Sequence, residues 1–161
     1  MIDDIYNKEV LYLAANISRT DPLDSPDAQV SLRSSLCGST IDVGLRIESG
    51  KVSEFGQSIK ACALGQVSAC VVVTKVIAKN ARKRQSIRNQ FEAMFGEDGP
   101  FPGGICEALS ALNPVKEAKP RHCPFLLPID AVLQGSRNLR LSSDLRKPVS
   151  LVVFAKFPYQ V

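Results

Sequence analysis

The chain has no tryptophan, one histidine and only 6% aromatic residues. It has no apolar stretch of bilayer-spanning length, no internal repeat and no low-complexity tract. No aromatic is interleaved with the basic run at 79–88, which a single-strand nucleic-acid binder would want for base stacking, and the lack of a long apolar stretch removes a membrane span. Met1-Ile2-Asp3-Asp4 puts acid where a signal peptide needs positive charge, so the expected location is cytoplasmic, with no membrane partner. Acid is missing in one place in particular: Lys79, Arg82, Lys83, Arg84 and Arg88 follow one another with no carboxylate before Glu92. Such a run reads first as a solvated helix face and second as a docking surface for an acidic partner, with nucleic acid set aside.

What remains is ordinary globular material. At 161 residues, 45% hydrophobic and 22% charged, with net charge +4, the chain can bury a core without disulfides or a structural metal. Five cysteines is an odd number, and thiols stay reduced in the cytosol, so they read as ligands, nucleophiles or core fillers.

Local pattern predicts an α+β fold, a three-stranded antiparallel sheet with helices packed on one face. Residues 2–17 suit a short amphipathic helix, and TDPLDSPDA is a linker. Strands are expected near 28–35, 39–48 and 51–59, with Ser49-Gly50 as the hairpin turn between the last two. The stretch 66–80 carries a β-branched run with strand propensity, yet its length and Lys-rich end suit a buried helix, so periodicity alone does not decide between them. Residues 82–95 form an amphipathic helix with Ile87, Phe91, Met94 and Phe95 on one side. Short helices are expected at 104–112 and 124–134, and the alternating tail suggests a last strand.

Three cysteines fall where elements end. Cys37 stands beside Gly38 before a strand, Cys62 lies where a strand meets the next element, and Cys123 opens a helix directly after His122. Side chains converge at element ends, and a helix start beside cations such as Lys119 and Arg121 favours thiolate, which is both nucleophile and metal ligand. Cys70, in a valine-rich run, and Cys106 read as core. A cysteine hydrolase using His122 as base toward Cys37 or Cys62 is a rival class, but no nucleophile signature and no orienting Asn or Asp accompanies it. A third class is a binding module without metal that docks through the basic run.

Taken in order, Leu36-Cys37-Gly38, the hairpin around Gly50 leading to Phe55, the Cys62 segment ending in Ser68-Ala69, Leu112 to Lys116 (LNPVK) and His122-Cys123 resemble the IscU/NifU-type iron–sulfur scaffold family. The 24 residues between Cys37 and Cys62 suit it too. The resemblance implies that Cys37, Cys62 and Cys123 are the ligands of a transient cluster, of the [2Fe–2S] form, with zinc as the other cargo. It further implies persulfide sulfur accepted from a cysteine desulfurase, with Cys123 as the acceptor. A chaperone pair, acceptor apoproteins and a homo-oligomer are the other implied partners. The protein would be a scaffold rather than an enzyme. The likeness spans residues 1–135, leaving 136–161 as a C-terminal extension. Two departures matter. Ser39 stands where the family carries an aspartate, leaving His122 as the candidate fourth ligand, because Asp42 on a strand faces away from Cys37. Sixty residues separate Cys62 from Cys123, a longer interval similar to the SufU branch, which implies zinc-dependent sulfur transfer as the alternative function.

Overall fold

In the computed structural model, residues 5–35, 37–96, 99, 122–141 and 149–155 are described. The elements run α1 (Lys8–Ala15), β1 (Ala28–Ser34), β2 (Thr40–Glu48), β3 (Lys51–Lys60), α2 (Ala63–Val76), α3 (Ala81–Gly96), α4 (His122–Leu141) and β4 (Val149–Ala155). The expected antiparallel meander is present, with Arg33 opposite Thr40 and Thr40 opposite Lys60. The tail adds a fourth strand, β4, parallel to β1, giving the order β3-β2-β1-β4. Helix α4 continues through Gly135 and past the 135/136 boundary.

Each element has a local cause. Asn7 caps α1, its Oδ1 accepting from the amides of Glu9 and Val10 at 3.1 Å. Alternating burial along β1 puts Ala28, Val30, Leu32 and Ser34 inward. The ambiguous 66–80 stretch is helix α2 as far as Val76. Leu64, Val67, Val71, Val72, Val73 and Val76 are all buried, because α2 is packed against both α1 and α4 and has apolar neighbours on most sides. Burial on that scale overrides the strand propensity of valine.

Helix α4 lies against β1 and β2. It comes close at Gly135, where a Cβ would meet Leu45 Cδ1 at 2.9 Å. The helix expected at 124–134 runs on to Leu141, and Gly135 within it serves this close approach. Phe125 stacks edge-on against Phe91 and Phe95, with centroids 5.3 and 5.0 Å away, joining α3 to α4. The linker before β1 crosses the outer face of the sheet, so Gly56 sits where a Cβ would meet the Asp21 carbonyl at 2.6 Å. Arg19 also covers the β3 edge, its carbonyl accepting from the Gln57 amide at 2.9 Å.

The basic run departs from a uniformly solvated face. Arg84 is 2% exposed and donates to the Lys79 carbonyl, and Arg88 is partly buried against Asp130. Cys70 is half-buried rather than core, its thiol 3.5 Å from the Asn16 carbonyl. Cys106, the 104–112 helix and the LNPVK stretch lie outside the described residues. No helix among the described residues is long and apolar enough to cross a membrane.

Candidate functional site

The register fixes which end of the sheet carries the chemistry. β1 runs into the turn that holds Cys37, β2 leaves it at Thr40, and Thr40 pairs with Lys60, two residues before Cys62. Cys37 and Cys62 therefore stand at the same end. The β2–β3 hairpin at Ser49-Gly50 marks the other.

The Cys37 turn is tightly built. The Ser34 amide donates to the Ser39 carbonyl at 2.8 Å and the Gly38 amide to the Ser34 carbonyl at 3.1 Å. Gly38 has φ +70, a conformation that a side chain would strain. This turn leaves Cys37 exposed, while Ser34 and Ser39 behind it are buried at 0% and 5% exposure. Both hydroxyls reach the sulfur: Cys37 Sγ lies 3.3 Å from Ser34 Oγ and 3.0 Å from Ser39 Oγ. Burial raises the thiol pKa, but the Ser34 and Ser39 hydroxyls, with backbone amides, stabilise the thiolate more and leave the pKa below its ordinary value.

Sequence reasoning treated Ser39 only as a poor metal ligand, and it passed over Ser34 entirely. The Cys37 thiol donates to both hydroxyls, and once it ionises the same hydroxyls can turn to donate to the thiolate. The signal was in the text of the sequence, since SSLCGS sets serines on both sides of the cysteine.

Cys62 is the N-cap of α2 and makes no side-chain capping bond. The amides of that first turn lack intrahelical partners and are available to an anionic ligand beside the cysteine. Cys62 is half-buried against the apolar core. Asp42 is exposed on the outer face of the sheet, where the Ser31 hydroxyl donates to its Oδ1, so it takes no part at this end.

His122 and Cys123 are the first two residues of α4. Two residues on, the Phe125 carbonyl accepts from the buried Ser68 hydroxyl on α2, and at Gly135 the helix is over Ala28 and Leu45, at the hairpin end. The side chains of His122 and Cys123 lie outside those described. Among the described residues no three His, Cys, Asp or Glu side chains form a metal-holding group.

No family model and no curated protein matches the chain. Solved structures do. The chain is similar to the N-terminal part of a nitrogen-fixing NifU-like protein from Brucella abortus, at 39% identity and TM-score 0.81, covering 88% of this chain and 99% of that one. It shares its fold with a protein from Fervidobacterium islandicum described as an iron–sulfur cluster assembly scaffold for the SUF system, at 16% identity and TM-score 0.72, covering 82% and 96%.

Proposed function

The chain belongs to the NifU-like N-terminal domain family, and on that premise we propose that it is a scaffold on which iron–sulfur clusters are assembled and from which they are handed on. The observation that carries the reading is the pairing of Cys37 and Cys62 at one end of the sheet, one exposed with its thiolate favoured, the other at a helix start.

In this reading Cys37, Cys62 and Cys123 hold the cargo, with His122 as candidate fourth ligand. Soft thiolates suit iron bridged by sulfide, and three of them leave ligation incomplete, so the cargo can depart. A [2Fe–2S] cluster is the form expected, and zinc the competing metal. Sulfur arrives as the terminal sulfur of a persulfide on a cysteine desulfurase. The Cys123 thiolate attacks that sulfur, the S–S bond of the donor breaks, and the donor leaves as thiolate. Reduction of the transferred sulfur to sulfide takes two further electrons from an external reductant. Acceptor apoproteins take the cluster, a chaperone pair is the further implied partner, and the setting is cytoplasmic.

The functional cost of replacing the family's aspartate by Ser39 follows from its contact with Cys37. Ser39 places a neutral hydroxyl within hydrogen-bond reach of the Cys37 sulfur, able to donate once the thiol ionises, in place of a charged oxygen ligand, so thiolate is favoured and zinc is held by one strong ligand fewer. That favours cluster chemistry over the zinc-dependent sulfur relay. The test is anaerobic reconstitution with ferrous iron and sulfide, followed by incubation with an apo-ferredoxin. Visible absorbance that appears on the chain and then moves to the acceptor supports the reading, and bound zinc with no absorbance overturns it in favour of the relay.

A further inference from the structure

We propose that the groove between α3 and α4 docks an acidic segment of a partner protein, holding the chain from the end opposite Cys37 and Cys62. The groove has a volume of about 610 Å³ and is open to solvent. Arg82 and Arg137 line it from the two helices, with Gln85, Asn89 and Ser136.

Its chemistry is one-sided. Residues 81–91 of α3 and 131–141 of α4 contain no acid. Arg88 pairs with Asp130 at 2.8 Å and with Glu92; Arg137 feels Asp130 at longer range without a contact ion pair, and Arg82 forms none among the described residues. Arg137 donates to Gln85 Oε1 at 3.2 Å, and Gln85 Nε2 donates to Asn89 Oδ1 at 3.0 Å. Those bonds occupy the amide oxygens and leave guanidinium and amide N–H groups for a ligand. A carboxylate accepts and never donates when ionised, so acidic side chains complement this lining. Among the described residues no aromatic lines the groove for base stacking, which argues against single-stranded nucleic acid.

Its position gives the docking a use. Asn80, just before α3, bridges to Lys51 at the β2–β3 hairpin, and Gly135 of α4 lies over Ala28 and Leu45. The groove is thus at the hairpin end, and a segment bound there leaves Cys37 and Cys62 open. This inference does not depend on what the cysteines carry.

A fluorescein-labelled hexaglutamate peptide, followed by fluorescence anisotropy, tests it. Saturable binding to the wild type is expected. It should weaken at least tenfold in R82E/R137E and also fall in R82A/R137A, while K8E/K60E, the same charge change on exposed lysines elsewhere, stays within twofold. Unaltered thermal melting of the variants shows that the fold is intact. C37S should bind the peptide as the wild type does, and R82E/R137E should take up iron and sulfide as the wild type does, which separates failure here from failure of the scaffold reading. No binding, equal loss in K8E/K60E, or tighter binding of a hexauridylate RNA would overturn the proposal.

Discussion

The helical layer and the Cys37 turn are built on opposite principles. In the helical layer, Phe125 is enclosed by Phe91 and Phe95, and α4 is pressed on Ala28 and Leu45 through Gly135. At the cysteine end, a turn held by two backbone bonds lifts one thiol into solvent, backed by two buried hydroxyls. Stability is concentrated where contacts are many. Chemistry is placed where they are few, so that cargo can be loaded and released without disturbing the core.

The sharpest break in that comparison is F125A. Removing a fully buried ring that meets two others should cost about 3–5 kcal/mol, read as a fall in the urea midpoint. C37S, at an exposed position, should stay within about 0.5 kcal/mol of the wild type in the same titration. Equal losses at both positions would erase the distinction. An intermediate effect is expected at Gly56, where a methyl group collides with the Asp21 carbonyl, a backbone atom that cannot swing aside. G56A should cost about 1–3 kcal/mol and loosen the linker, seen as faster amide exchange at Gln57, whose N–H bonds the Arg19 carbonyl.

The smallest effect sharpens the cysteine end itself. Because the folded pKa of Cys37 lies below its ordinary value, its thiolate persists to lower pH than that of a free thiol. Alkylation of Cys37 by iodoacetamide, followed peptide by peptide, should therefore have its pH midpoint shifted downward. S39A and S34A each remove one donor, so each should move that midpoint back up and slow alkylation at neutral pH by roughly threefold, with little change in stability for S39A. Unchanged profiles would mean that the hydroxyls only fill space.

How far the sequence discloses this arrangement depends on whether the signal is local. The strand bounds, the hairpin at Ser49-Gly50 and the amphipathic face of α3 are local patterns and match the structure. Helix α2 was undecidable because a helix surrounded by apolar neighbours loses the periodicity that marks it. Pairing of β4 with β1 depends on a partner more than a hundred residues away, which no local pattern encodes. Cys37 and Cys62 could be picked out because each sits at the end of an element. The burial of Arg84 and the use of Ser34 could not, since both depend on what packs behind them. Solvated helix faces and buried arginines have the same composition.

The most direct measurement of the central claim is iron and acid-labile sulfide per chain after anaerobic reconstitution, compared across C37S, C62S, C123S and C70S. The account predicts stoichiometric iron and sulfide in the wild type and in C70S, whose half-buried thiol bonds the Asn16 carbonyl, and their loss in each of the other three. Full retention in C37S or C62S, or no sulfide in the wild type, would contradict it.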